Sequence, residues 1–408
     1  MRKELGLLVL LSVVFIGLSF VLSSEANAGP PKEIVIHHIG DLTGPYASFT
    51  GVSALHAMKD METIINNRGG VKGVKVRIVM SDTRNKRDLA LSHYARIAPE
   101  KPPIIVLQQG ADAEILKERL AEDKIPAIGT YPTPKNVWPA GWVFQSIPEI
   151  TDLFAHFVDW LRSDWKKSGK IRLAFIARDD TVGRALFTPE VEKYMKKKGI
   201  EVVAREFFPP QDLDITTQMA RIAAQKPEVV FVVAIGGSQN RVVFKAAEAV
   251  GLTGGKVLFG NGIWGLDRGA AKMAEGLMEG VVGSQSFWVP GDTNVPIVKE
   301  LLEIFSKEKR PPEQLTAAYC VLAAINAMAA EVLTKTVERV GWDKFSGEEV
   351  YKTLKESKNL HAMGFMPLKF APGKVCPSLS RMVKMKNGEP VAITGFTACP
   401  DMRPAQYR

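Results

Sequence analysis

Residues 34–70, IVIHHIGDLTGPYASFTGVSALHAMKDMETIINNRGG, constrain the fold more than any other part of the chain. Ile34, Val35 and Ile36 form an apolar run of the kind that makes a buried strand. Residues 41–49 mix Gly, Pro, Thr and Ser, which is loop chemistry. Leu55, Met58, Ile64 and Ile65 then recur at helical spacing, with Lys59, Asp60 and Glu62 on other faces. Gly69-Gly70 stops the helix, as glycine does at helix C-termini. The unit is strand, loop, helix, with the loop at the C-terminal edge of the strand. In open α/β sheets that edge carries the ligand, so the 41–49 loop is expected to be one lip of a small-molecule cleft.

The same alternation continues. Strands are expected at 74–80, 104–107 and 127–129, with helices at 88–98 and 111–122, and this first unit ends near Phe144. A second run follows. It has a helix at 152–165, strands at 171–177, 202–208, 229–235 and 257–260, and helices at 183–198, 216–225 and 239–250. Strands alternating with helices imply parallel βαβ units. The fold class is therefore α/β, with two doubly wound, Rossmann-like lobes joined by a multi-strand hinge. Lobe 1 is expected at 29–147, completed by about 288–345, and lobe 2 at 148–287, completed by about 346–370. A C-terminal hairpin and tail take 371–408. The apolar helix 317–332 is expected to pack back on the first lobe.

Residues 1–28 read as a secretory leader, with Arg2 and Lys3 before an apolar segment and Ala26-Asn27-Ala28 as the cleavage signal. That places the mature start at Gly29 and the protein in the periplasm. No later stretch reads as apolar enough to span a bilayer. The formal charge is +9, but the basic residues are scattered. The cluster Lys193, Lys196, Lys197 and Lys198 reads as a solvated helix end rather than a nucleic-acid patch. Of the three cysteines, Cys376 and Cys399 are equidistant from an Asn387-Gly388 turn signal. Hairpin register would place them opposite each other, and an exported chain would oxidise them to a disulfide. Cys320 lies in an apolar helical run and reads as a buried thiol.

Catalytic patterns are absent: no G-x-S-x-G, no H-E-x-x-H and no phosphate-binding G-x-x-x-x-G-K-[ST] loop occurs. His37 and His38 are adjacent on a strand and point to opposite faces, so they do not share a metal. Gly260 to Gly265 matches G-x-G-x-x-G, but Ile263-Trp264 puts bulk beside the second glycine, and a tight cleft-edge loop is the better reading. No metal or cofactor is expected. Candidate ligand contacts are strand-end residues. Tyr46 and Phe49 are either cleft wall or anchors for their own loop. Gln108, Gln109, Gly110, Ala111 and Asp112 open a helix whose free N–H groups suit an anion, or form a plain solvated cap. Thr130, Tyr131 and Thr133 offer hydroxyls at the same edge. Asp180, Ser238 and Asn261 end strands of the second lobe. Trp264 and Trp288 either close on an apolar ligand or fill a gap between lobes.

The segments IGDLTGPYA at 39–47 and INNRGGVKGVKV at 65–76, with KVLFGNG at 256–262 and EGLMEGVVG at 275–283, resemble the periplasmic binding proteins of branched-chain amino acid ABC importers. The resemblance spans the mature chain and is most specific at 39–82. It implies a type I, leucine-binding-protein-like fold, no catalysis, a monomer, and delivery of a small ligand to an inner-membrane permease. In amino-acid binders of that family, the loops matching 109–111 and 131–133 hold the α-carboxylate. Acidic and tyrosine residues of the second lobe meet the ammonium. The matching positions here, Val182, Gly237 or Ser238, and Gly262 or Ile263, are neither acidic nor aromatic. An ammonium buried without a charged partner is costly, so an apolar or aromatic carboxylate fits better than an amino acid. The alternatives are an exported ligand-sensing receptor subunit and, with no acid–base set to support it, an exported enzyme.

Overall fold

The computed structural model describes residues 29–408; the expected leader, 1–28, lies outside the described residues. Five strands make the first sheet: β1 (Glu33–Gly40), β2 (Lys75–Asp82), β3 (Ile105–Leu107), β4 (Ala127–Gly129) and β5 (Val143–Gln145). All are parallel, in the order β2-β1-β3-β4-β5. The chain goes from β1 to one side and then returns to the other, so the order reverses between β1 and β3. Loops leaving those two strands diverge and open a crevice between them. That crevice is where the 41–49 loop stands beside Gln108.

The second sheet repeats the plan. It starts with β6 (Ile171–Arg178), β7 (Ile200–Phe208), β8 (Val229–Val233), β9 (Leu258–Asn261) and β10 (Val282–Gln285). A small antiparallel pair follows, β11 (Asn359–Leu360) with β12 (Leu368–Lys369). Then come β13 (Leu379–Lys386), β14 (Glu389–Ala392) and β15 (Thr397–Ala398). The order is β14-β13-β10-β9-β8-β6-β7, with β15 on β13. Here the reversal falls between β6 and β8, which puts the ends of those strands, at Arg178 and Val233, at the second crevice.

The structure corrects several expectations. The helix expected at 183–198 is two helices, Thr181–Arg184 and Pro189–Lys197. Pro189 lacks an N–H and cannot continue the first, and Thr188 caps the second by accepting from Val191 N at 3.3 Å. The helix Ala317–Val340 runs past its expected end and is long and apolar enough to cross a membrane, with a mean hydropathy of 1.6 over its best window. That window is 89% buried inside the protein, so its apolarity is spent on the core. It packs along helix Gly51–Asn67, and Asp60 joins the two. The Asp60 carboxylate accepts from Arg310 Nη2 at 2.8 Å and from Tyr319 OH at 2.7 Å. Helix Gly347–Glu356 packs with the first lobe, not the second: Tyr351 stacks on Trp142 at 4.1 Å and meets Phe144 of β5 edge-on. The hairpin is not a separate unit either, because β13 pairs antiparallel with β10 and extends the second sheet.

The expected Cys376–Cys399 disulfide is not formed; all three cysteines are free thiols. The reason is register. Symmetric pairing about Asn387-Gly388 holds from Lys386↔Glu389 to Val383↔Ala392. The intervening residues 393–396 then slip the return strand by two, giving Leu379↔Ala398. Cys399 N therefore bonds Ser378 O at 2.8 Å, and its Sγ lies 3.0 Å from Ser380 Oγ.

Where the chain crosses between lobes, Lys374 Nζ sits on Asp152 Oδ2 at 2.5 Å and on Asp401 Oδ1 at 3.0 Å. The other Asp152 oxygen accepts from Met402 N at 2.7 Å. One buried ion pair thus ties the second-lobe end of one crossing to another crossing and to the tail. Asp152→Ala would leave the buried Lys374 ammonium with Asp401 alone, and the expected loss is about 1.5–3 kcal/mol in urea unfolding, the worth of a hydrogen bond to a charged group; a loss below about 1 kcal/mol contradicts this reading. Thiol titration of the urea-unfolded chain without reductant should count three free thiols; a count of one would restore the disulfide.

Candidate functional site

The first-lobe lip is folded by its own acid. Asp41 accepts from Gly44 N at 2.6 Å and Tyr46 N at 3.0 Å, and Thr50 Oγ1 donates to Asp41 O at 2.5 Å. This turn carries Tyr46 and Phe49 across to the second lobe. There Asp180 caps helix Thr181–Arg184, accepting from Val182 N at 3.0 Å and Gly183 N at 2.9 Å through Oδ1. Its Oδ2 pairs with the Arg178 guanidinium and accepts from Tyr46 OH at 3.3 Å. Arg178 Nη2 donates to the same hydroxyl at 3.2 Å. Arg178 is only 4% exposed, and its Nη1 has no protein partner. Burial raises the Tyr46 hydroxyl pKa, against the pull of Arg178.

Trp264 follows β9 in the short turn Ile263–Gly265. Its ring centroid lies 4.5 Å from Tyr131, which follows β4, and 6.0 Å from Phe49. The indole divides the space between lobes. On the second-lobe side is a cavity of about 40 Å³ walled by Leu153, Phe154, Leu186, Phe231 and Val233, with Asn261 and Ser284 as polar points. On the first-lobe side about 10 Å³ remains between Phe49, Gln108, Thr130 and Tyr131. Several buried polar atoms here have no protein partner: Gln108 Oε1, Gln109 Nε2, Asn261 Oδ1 and Trp264 Nε1. Such atoms each cost free energy unless a ligand or water completes them.

The lobes are in contact. Ser48 Oγ and Ser238 Oγ are 3.4 Å apart at the mouth. Asp267 of the second lobe accepts from Ala270 N at 2.8 Å, capping its own helix, and from Ala317 N at 3.0 Å, capping the first-lobe helix Ala317–Val340. Phe49 lies so close to Gly236 that a Cβ there would stand 2.7 Å from Phe49 Cβ, and Gly236 has φ of +61°.

Of the residues singled out by sequence, Tyr46 meets Asp180, Tyr131 meets Trp264, and Trp264 and Asn261 line one cavity. Thr130 lines the smaller cavity and donates to Gln108 O at 2.9 Å. Gly110 packs under Tyr131, and Ser238 stays exposed at the rim. Tyr46, Gln109, Gly110, Ala111, Asp112, Thr133, Asp180 and Ser238 do not line either of these cavities. Gln109 is buried beside them, Ala111 is exposed on the first turn of its helix, and Thr133 caps helix Pro134–Val137 and bonds Glu114 Oε1 at 3.1 Å. Trp288 is committed elsewhere, its Nε1 donating to Cys320 O at 2.9 Å. Gln108 Nε2 is held by His38 Nδ1 at 3.0 Å, and His38 Nε2 by Asn326 Oδ1 at 2.9 Å, a chain reaching into helix Ala317–Val340. Sequence reading missed Arg178, Phe154 and Asp267 as site residues. The available signal for Arg178 was a cation ending the apolar run LAFIA of the strand IRLAFIAR. Among the described residues no cluster of three or more His, Cys, Asp or Glu is placed to hold a metal.

Asp112, in the first turn of helix Gly110–Asp123, has its carboxyl pushed up to about 7 by burial and by nearby Asp41. Between the ordinary value of 3.8 and about 7 the folded chain holds a proton that the unfolded chain has lost, so stability falls as pH rises through that window.

The family model described as periplasmic binding protein matches residues 33–388. No curated protein sequence matches the chain. Similar solved structures include a branched-chain amino acid ABC transporter protein from Thermus thermophilus with bound valine. That match has a TM-score of 0.80, 18% identity, and coverage of 92% of this chain and 98% of that one. A fatty acid ABC transporter substrate-binding protein from Thermomonospora curvata matches with a TM-score of 0.76, 19% identity, and coverage of 93% and 97%. A leucine binding protein from Thermotoga maritima matches with a TM-score of 0.71, 18% identity, and coverage of 90% and 99%. At these identities the likeness is one of fold: two-lobed, parallel-sheet, type I.

Two outcomes are expected. Asp112→Asn should flatten the fall in stability between pH 4 and 7 and gain roughly 2–4 kcal/mol above it; an unchanged pH profile contradicts the assignment. Gly236→Ala should drive the lobes apart by clash with Phe49 and by strain at positive φ, seen as a larger radius of gyration in small-angle scattering. An unchanged radius would mean that the contact does not govern closure.

Proposed function

This chain belongs to the periplasmic binding protein family, and from that premise we propose that it is an exported solute-binding protein. It captures a small organic carboxylate with an apolar body between its lobes and releases it unchanged to an ABC importer in the inner membrane. The observation that carries this reading is the Arg178 guanidinium, buried, with Nη1 free of protein partners, at the strand end that leads through the Asp180 cap to Val182, a residue of the apolar cavity wall. A guanidinium has five N–H donors. Asp180 and Tyr46 take those on Nε and Nη2, leaving the Nη1 pair for an incoming oxygen. Charge-assisted bonds of this kind are strong once water is excluded. Leu153, Phe154, Leu186 and Phe231 offer the body an apolar wall.

The cavities of about 40 and 10 Å³ are far below the ~300 Å³ that an organic ligand needs. Binding on this reading separates Trp264 from Tyr131, and the lobes reclose over the ligand with Trp264 as its cover. The similar fatty acid transporter protein supports an apolar carboxylate. A second reading, an α-amino acid, draws support from Asp180, whose carboxylate could meet an ammonium beside Tyr46, and from the valine-bound neighbour. A sensor role shares the same capture chemistry and differs only in the partner recovered with the closed form.

Calorimetry with matched pairs separates the two readings. The account expects 4-methylpentanoate or phenylpropanoate to bind and leucine or phenylalanine, which add only an ammonium, to bind at least about tenfold more weakly. Tight leucine binding with none to the deaminated acids would sink the carboxylate reading. Arg178→Met should weaken the acids by about 30–100-fold, the worth of a charged hydrogen bond; no loss would remove Arg178 from the site.

A further inference from the structure

A cavity larger than either of those beside Trp264 is not between the lobes. It lies on the outside of the hinge and holds about 860 Å³, within the size range of small-molecule sites and some twentyfold the space beneath Trp264. One wall is helix Gly347–Glu356 with the segment after it. The other is the crossing segment 369–375. Its floor is apolar and aromatic: Phe144, Tyr351, Leu354, Phe370 and Val375. Tyr351 is held flat by its stack on Trp142, so one side of the groove is rigid. The charged residues are unbalanced. Lys355, Lys358 and Lys369 line it as exposed side chains, and among the described residues none has a carboxylate within ion-pair distance. Glu356 is the one acid of the lining, and Lys374 contributes no free charge because Asp152 and Asp401 hold it.

We propose that this hinge-face groove is a second small-molecule site, separate from the gap between the lobes, for an amphipathic organic anion whose rings or chain lie on Tyr351, Phe144 and Phe370 and whose charged group meets Lys355, Lys358 and Lys369. An unmatched set of cations over an apolar floor favours a ligand with both features. A neutral apolar compound leaves the lysines unused, and a bare anion such as phosphate leaves the floor wet. Lys355 Nζ, 5.8 Å from the Tyr351 ring centroid, already spans the two parts of the site.

Anilinonaphthalene sulfonate tests the charge and phenylnaphthylamine, which lacks it, tests the floor. Both are titrated by fluorescence into the full chain at low salt. The triple variant K355Q/K358Q/K369Q changes only exposed side chains, and its thermal melt serves as the folding control. Sulfonate affinity should fall about tenfold in that variant, while the neutral amine is unaffected. Tyr351→Ala should weaken both dyes, and Arg178→Met should leave the lysine-dependent binding in place. Sulfonate binding that ignores the three lysines, or disappears with Arg178→Met, or does not occur at all, overturns the proposal.

Discussion

The indole of Trp264 against the phenol of Tyr131 is the contact on which the closed form depends. Each ring stands at the C-terminal edge of a different sheet, and each is apolar surface that water would otherwise meet. An aromatic pair adds about 0.5–1.5 kcal/mol beyond its area. The polar contacts between the lobes are few: Tyr46 with Asp180 and Arg178, Ser48 with Ser238, Asp267 with Ala317, and the exposed pair Lys272 with Glu313. At roughly 1 kcal/mol each they bring closure to a few kcal/mol. A ligand shifts such a balance only by the difference between its affinities for the two forms, and a difference of a few kcal/mol is enough to decide between them. Stronger contacts would lock the gap, and weaker ones would leave nothing for a partner to sense.

The position of the gap follows from topology. In each sheet the first strand is followed by a neighbour on one side and then on the other, so the reversals fall at β1/β3 and β6/β8. The loops that diverge there carry Tyr46, Gln108, Arg178 and Gly236. The hinge is comparatively stiff. Lys374 and Asp152 are buried together with the exposed Asp401 closing over them, and Gln145 N bonds Val375 O at 2.8 Å. The crossings are therefore tied into one strap.

Much of this was legible in the chain. The apolar runs at 34–36, 171–177 and 229–235 mark strands wherever they occur, and the residues just after them are the cleft by rule. What was not legible has physical causes. Arg178 ends a strand, and a charge there is commonly no more than a solvated terminus; only the Tyr46 hydroxyl, arriving from far along the chain, makes it a candidate. Asp267 caps two helices from different lobes, and sequence shows only the nearer. Thr133 looked like a ligand hydroxyl because nothing local reveals that Glu114 and the turn at Pro134 already use it. The slipped register at residues 393–396 could not be seen from the symmetric spacing of Cys376 and Cys399, since pairing beyond an irregularity is set by the sheet and not by the turn.

The most direct test of the central claim is a crystal structure of the protein holding the carboxylate that binds it most tightly in solution. The account predicts one molecule between Tyr131 and Trp264, its carboxylate on Arg178 and its body toward Phe154 and Phe231, with the two rings moved apart. A ligand bound elsewhere, with Trp264 still packed on Tyr131, would contradict it.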